Sequence, residues 1–239
     1  GNFNAGTSNF GTSTQTTQGI DVGDLDNDGD IDVVTGNLNQ QNVAYINSGS
    51  GSFGSSVNFG TGSDYTQGVA LVDIDNDGDL DIAVGNSTNP GDNAVFLNNG
   101  SGTSFASSVS FGSASYSTQQ VNFGDVNGDG YLDVVPAHNT TQNFVYLNNG
   151  SGTSFASSVS YGTGSDASYA VKPADVNGDG ALDLVVGNSS SAQNVVYFNA
   201  SAVTVSSTSP TAAFASAPST GNVTATFSVA VTAGDAASF

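Results

Sequence analysis

Asp24-Leu25-Asp26-Asn27-Asp28-Gly29-Asp30-Ile31-Asp32 is the first of four related acidic segments in this 239-residue chain. The others start at Asp73, Asp125 and Asp175, so the first positions lie 49, 52 and 50 residues apart. Carboxylates at alternate positions of a short turn, with glycine at its sixth position, suit oxygen ligation of a hard divalent ion. A period near 50 residues is the size of a supersecondary unit that repeats and stacks, such as a propeller blade.

Outward from each loop the pattern is the same. Apolar stretches lead in at Ile20–Val22, Val69–Val72, Val121–Phe123 and Val171–Ala174. Second runs leave at Ile31–Val34, Leu80–Val84, Leu132–Val135 and Leu182–Val186. Third runs follow at Val43–Ile46, Ala94–Leu97, Phe144–Leu147 and Val195–Phe198. A fourth, shorter run ends in an aromatic-glycine pair, Phe59-Gly60, Phe111-Gly112 or Tyr161-Gly162. Runs of four to six β-branched or aromatic residues between Gly, Asn and Ser turns are strands, too short for helices. Their continuous apolar character suits sheets covered on both faces. The fourth unit has no clear fourth strand of its own, and the N-terminal segment Phe3 to Phe10-Gly11 resembles the missing piece. Residues 98–110 and 148–160 are identical, which points to shared structural duty.

The expected ligands follow loop positions 1, 3, 5, 7 and 9. In the first two loops these are Asp24, Asp26, Asp28, Asp30, Asp32 and Asp73, Asp75, Asp77, Asp79, Asp81. In the last two they are Asp125, Asn127, Asp129, Tyr131, Asp133 and Asp175, Asn177, Asp179, Ala181, Asp183. Position 7 varies freely, as a backbone-carbonyl ligand permits. Position 8 is always Ile or Leu, the first core anchor of the outgoing strand. Position 12 holds Thr35, Val84, Pro136 and Val186, none of which supplies a bidentate carboxylate, so these are not EF-hand loops. Three to five carboxylates in nine residues repel one another unless a cation sits among them. The expected cofactor is Ca²⁺, about one ion per repeat, four in all.

The pattern Asp-x-Asp/Asn-x-Asp-Gly-x-x-Asp, with an aromatic-glycine pair per unit, resembles the FG-GAP/VCBS repeat family, which includes the integrin α-subunit head. The resemblance covers roughly residues 1–200. It implies an all-β β-propeller, which the four repeats of this sequence make four-bladed, with calcium in the hairpin between the innermost and second strands and all sites on one face of the ring. Circular closure implies that the N-terminal strand completes the last blade, which removes an exposed sheet edge. Integrin-type propellers have seven blades, so their partner surfaces are not carried over. The competing layouts are an eight-bladed ring from two chains or an array cut from a longer repeat protein.

Composition sets the functional bounds. Formal charge is −20 and all 21 acidic residues are Asp, 16 of them within the four loops. Lys172 is the sole basic residue, so a nucleic-acid backbone or an anionic membrane has almost nothing to bind. With no Glu, Arg or Cys, acid–base and thiol catalysis are starved of groups, and no catalytic residue is expected. His138, the only histidine, reads as a turn or surface residue. Lys172 shares its position, three before the loop, with Asp21 and Asn122; a closed ring of four would let Lys172 reach Asp21. No apolar run approaches membrane-spanning length and no leader is evident, which leads us to expect a mature, secreted or cell-surface product. Asn-x-Ser/Thr sequons at Asn86, Asn99, Asn139, Asn149, Asn188, Asn199 and Asn222 are at the frequency such a composition generates by itself.

Beyond residue 200 the loops stop. Val223, Ala225, Phe227, Val229 and Val231 alternate with polar or small residues, as strands with one buried face do. Residues 205–228 weakly resemble the opening of a bacterial Ig-like domain, but 201–239 is too short to close a sandwich. The expectation is a short β segment that is a partial Ig-like unit, packs on its own propeller or is donated to a neighbour. The functional expectation is a non-enzymatic, calcium-stabilised structural or adhesion protein. Its partners are other copies of itself, in a fibre, or cell-surface protein or glycan. A lectin-like module using Tyr65, Tyr116 or Tyr169 is the alternative, and an enzyme such as a polysaccharide lyase the third.

Overall fold

The computed structural model describes residues 9–199 other than 13, 88–91, 106, 114, 140, 165, 190 and 191. Within them the chain makes four antiparallel meanders, each in simple sequential order. The first sheet holds β1 (Thr17–Gly23), β2 (Asp32–Asn37), β3 (Asn42–Ile46) and β4 (Ser55–Phe59). The second holds β5 (Thr66–Val72), β6 (Asp81–Asn86), β7 (Ala94–Leu97) and β8 (Ser107–Ser110). The third holds β9 (Ser117–Gly124), β10 (Asp133–Asn139), β11 (Asn143–Leu147) and β12 (Ser157–Tyr161). The fourth has three described strands, β13 (Ser168–Ala174), β14 (Asp183–Asn188) and β15 (Val195–Tyr197). No helix among the described residues is long and apolar enough to cross a membrane.

Period-two alternation explains why the second strands are apolar throughout. Val34 of β2 faces the second sheet, packing with Leu25, Ala44 and Phe59 against Ile82, Val84 and Phe105. Its neighbour Val33 points the other way, to Val43, Tyr45 and Phe53. Likewise Ala83 of β6 faces Val121, Val134 and Tyr146 of the third sheet, and Val135 and Ala137 of β10 face Leu184 and Val186 of the fourth. Each seam is therefore one hydrophobic core shared by two sheets. Burial of this kind contributes about 25 cal/mol per Å² of apolar surface and is the main stabilising term.

The innermost strands pack in series, β1 on β5, β5 on β9 and β9 on β13. A Cβ on Gly19 would lie 2.9 Å from the Val69 nitrogen, and one on Gly68 would lie 3.0 Å from the Gln120 Cα. Bare backbone is thus required where these strands meet. At the third junction Gln120 replaces glycine, and its Oε1 accepts from the Val171 N–H at 3.0 Å. Asp21 Oδ2 accepts from Leu71 N–H at 2.8 Å, and Asn122 Nδ2 donates to Val171 O at 2.8 Å, clamping the inner strands across two seams.

The described residues show no comparable packing of β13 on β1, so the closed ring of four is not shown. Apolar side chains stay open at both ends of the series: Ile20 and Val22 are 58% and 56% exposed, Val185 and Phe198 37% and 67%. Lys172 donates to Asn122 Oδ1 at 3.1 Å, and the expected pairing with Asp21 gives way to this bond between adjacent inner strands. The proposed closing strand falls largely on residues 1–8, outside the described residues, as does the whole segment 201–239. Phe10 is described. It seats on Tyr45 and Phe53 as Phe59 does on Phe96 and Phe105, and Phe111 on Tyr146 and Phe155. Phe10 thus takes the place that the last aromatic of a preceding sheet takes at the next two seams.

Candidate metal centre

Every acidic loop joins the first and second strands of its sheet, and its geometry is built by its own carboxylates. The position-1 acid turns back over the loop: Asp24, Asp73, Asp125 and Asp175 Oδ2 accept from the N–H of Gly29, Gly78, Gly130 and Gly180 at 3.0, 3.1, 2.8 and 3.0 Å. Those glycines have φ between 89° and 96°, which a side chain would strain. The position-5 acid accepts from the N–H two residues on, as Asp28 does from Asp30 and Asp77 from Asp79 at 2.8 and 2.9 Å. Asp129 and Asp179 do the same for Tyr131 and Ala181 at 3.0 and 2.9 Å.

The structure brings three of the five predicted ligands together in each of the first two loops. One carboxylate oxygen each from Asp24, Asp26 and Asp28, and from Asp73, Asp75 and Asp81, falls within 4.8 Å of the others. In the first loop Asp24 Oδ1 is buried and has no hydrogen-bond partner. A buried, unpartnered anionic oxygen beside two further carboxylates is costly without a counter-ion. Oxygen-only donors with an orphaned carboxylate oxygen among them fit a hard divalent cation.

The third and fourth loops satisfy themselves differently. Asn127 Nδ2 donates to Asp129 Oδ2 at 2.9 Å and Asn177 Nδ2 to Asp179 Oδ2 at 3.1 Å, replacing a carboxylate repulsion by a bond. Asp125 Oδ1, the counterpart of the orphan, accepts from Gly128 and Asp129 N–H at 2.8 and 3.1 Å, and Asp73 Oδ1 of the second loop accepts from Asp77 N–H at 3.1 Å. Position 4 has positive φ in all loops, and it is Asn27 and Asn76 in the first pair but Gly128 and Gly178 in the second.

The position-9 acid begins the second strand and is fully buried in every sheet (Asp32, Asp81, Asp133, Asp183). Its Oδ2 accepts from the position-2 N–H of Leu25, Ile74, Val126 or Val176 at 2.8 to 3.2 Å. Its Oδ1 accepts from the N–H of Asn47, Asn98, Asn148 or Asn199 at 2.7 to 2.9 Å. Burial outweighs these bonds and raises the Asp32 and Asp133 carboxyls above the usual range, and Asp81 to about 7, with neighbouring loop acids adding to the effect. Asp75 is also raised, by burial first and Asp77 second.

The four asparagines are functional residues that the loop pattern did not reveal. Asn98, Asn148 and Asn199 donate through Nδ2 to the position-8 carbonyl of their own sheet and to Leu25, Ile74 and Val126 O of the preceding one, the latter at 2.8, 2.8 and 2.6 Å. Asn47 reaches Ile31 O at 3.1 Å. The available signal was an Asn 15 to 17 residues after each position-9 Asp.

Position 7 has a side-chain role as well. Asp30, Asp79 and Tyr131 lie over Gly49, Gly100 and Gly150, where a Cβ would come within 2.8 Å of them. Asp79 Oδ1 also accepts from Asn27 Nδ2 at 2.7 Å, tying the first loop to the second. Of the tyrosines expected to take glycan, Tyr169 is exposed, whereas Tyr65 and Tyr116 are half-buried and Tyr116 is wedged against His138 and Phe144. His138 is not a turn residue. It is fully buried inside β10, because the strand extends to Asn139 and places the imidazole in the seam.

The model of the FG-GAP-like repeat family matches residues 24–84, 84–136 and 137–186, the stretch that contains all four loops and their outgoing strands. The chain belongs to the FG-GAP-like repeat family. Each FG-GAP match begins in one hydrogen-bonded sheet and ends in the next. No curated protein matches the chain.

Proposed function

We propose that this FG-GAP repeat chain is a non-enzymatic, calcium-stabilised structural or adhesion protein acting outside the cell. The observation that carries the reading is the first loop, where Asp24, Asp26 and Asp28 converge and the buried Asp24 Oδ1 has no protein partner. The position-1, -3 and -5 side chains, the position-7 carbonyl and the position-9 carboxylate would hold a Ca²⁺ ion. It neutralises the loop and pins the first strand of each sheet to the second. Support for a non-catalytic role comes from the lack of Glu and Arg and from the burial of the only histidine.

The four sheets are read as consecutive blades of a β-propeller, with the N-terminal segment completing the last one. Phe10 supports this, because it sits against the first sheet as the ends of β4 and β8 sit against the next. The partners proposed are further copies of the chain or surface protein and glycan. The deciding experiment is calorimetric titration of chelator-stripped protein with Ca²⁺, alongside thermal melts with and without the ion. Saturable binding with a raised melting temperature is expected; no heat and an unchanged melt refute the calcium role.

A further inference from the structure

The seam between the second and third sheets breaks a hydrogen-bond rule that the other sheets keep. In the first, second and fourth sheets a hydroxyl at the start of the first strand donates to an asparagine at the end of the second: Thr17 to Asn37, Thr66 to Asn86 and Ser168 to Asn188, at 2.7, 2.8 and 2.8 Å. The amides of these asparagines then donate to Gln41, Asp92 and Gln193 O. At the first and third seams the same hydroxyl accepts from the preceding sheet, Thr66 from Asn42 and Ser168 from Asn143, at 2.9 and 2.8 Å.

In the third sheet His138 stands where the asparagine should be. Its Nδ1 lies 3.0 Å from Thr118 Oγ1, and its Nε2 is buried with no partner. Asn93 Nδ2, the counterpart of the Asn42 and Asn143 amides, is buried and unpartnered too. A second exchange accompanies the first. Four residues after the aromatic-pair glycine the other units carry Gln15, Asp64 and Asp166, and Gln15 and Asp166 accept from the Tyr45 and Tyr197 hydroxyls. Here the residue is Tyr116, its ring centroid is 4.9 Å from His138, and the Tyr146 hydroxyl is left buried without a partner.

We propose that this seam is an acid-sensitive joint, in which protonation of His138 loosens the third sheet from the second. The cation would need an acceptor at Nε2, and none among the described residues bonds to it. It would also force Thr118 to accept at Nδ1, against the donating direction that the hydroxyl takes in the other sheets. The groups meeting the ring are Thr118 from β9, Tyr116 from the turn before it and Tyr146 from β11, while Asn143 accepts from the His138 backbone N–H. Tyr169, the second residue of β13, meets Asn139 instead, and Lys172 meets Asn122. Only the two tyrosines among the facing groups titrate, and burial holds Tyr146 well above its ordinary range. Among the described residues no carboxylate is placed to stabilise an imidazolium, and burial alone lowers His138 from 6.5 to about 4. The neutral ring's stability is therefore complete above about pH 6.5 and is lost as pH falls toward 4. By about pH 5 the loss is on the order of thirty-fold in the folding equilibrium constant.

A single histidine makes the test direct. The imidazole proton resonances are followed from about pH 7.5 to 4 in the full chain, with melts of wild type and His138→Asn in saturating Ca²⁺ over the same range. Restoring the asparagine of the other sheets should leave the variant folded and remove the acid-dependent part of the difference between the two curves. Tyr116→Gln, which returns a partner to the Tyr146 hydroxyl, provides a second variant and should raise stability while keeping the histidine titration. Amide exchange, corrected for intrinsic rate, should quicken in β9 and β10 of wild type near pH 5 before it quickens in β2. A histidine titrating near 6.5 in the folded protein, or parallel stability curves for wild type and His138→Asn, overturns the proposal. Because the loops titrate alike in both proteins, neither result depends on whether Ca²⁺ binds.

Discussion

Asp81 serves two masters. Its oxygens hold Ile74 and Asn98 by their N–H groups, and the same carboxylate approaches Asp73 and Asp75. Its folded value of about 7 lies above the ordinary 3.8, so the ion-free fold binds the proton more tightly than the unfolded chain. Stability without a cation should therefore fall as pH rises from about 4 to about 7, whereas with Ca²⁺, which favours the carboxylate, it should not. Melts in chelator and in Ca²⁺, run in the His138→Asn background to remove the opposing histidine effect, check this; superimposable curves would contradict it. Asn98→Ala removes the bonds to Leu25 O and Leu80 O and should cost about 1–3 kcal/mol by denaturant unfolding. The acids were legible in the sequence because their chemistry and spacing are local. Asn98 was not, since its decisive contact is with a carbonyl 73 residues away. His138 was misplaced for the same reason: nothing around it in sequence announces that β10 carries it into a seam.

At the scale of strands, glycine decides how closely sheets approach. Gly68→Val drives a branched side chain into the Gln120 backbone and should destabilise the protein by roughly 1–3 kcal/mol. Gly54 has open space around its Cβ direction and no positive φ, so Gly54→Ala should be neutral or stabilise by up to about 1 kcal/mol. Chemical denaturation of the pair checks whether the contact, rather than glycine as such, is responsible. The strands themselves were largely legible, because short apolar runs between Gly and Asn turns admit little else. Which side chains of β2, β6 and β10 face forward or back follows from alternation, but which sheet receives them is a tertiary fact.

For the whole molecule, the two loop types predict unequal binding. The first pair carries five Asp per loop, with an unpartnered oxygen on Asp24 of the first, while the second pair has three and internal amide bonds. Calorimetry should resolve tighter sites that Asp26→Asn with Asp75→Asn weakens, and weaker ones that Asn127→Asp strengthens; four equal sites would contradict the ranking. Repeat number was legible from the loop period. Ring closure was not, because it depends on how sharply successive sheets turn, and no motif encodes that angle. One junction does bear on it. Backbone meets backbone at Gly19 and Gly68, whereas at the next junction the Gln120 amide bridges the two inner strands. The spacing of successive inner strands is thus set at one position per repeat, so lengthening the side chain there trades a direct main-chain contact for one bridged by an amide.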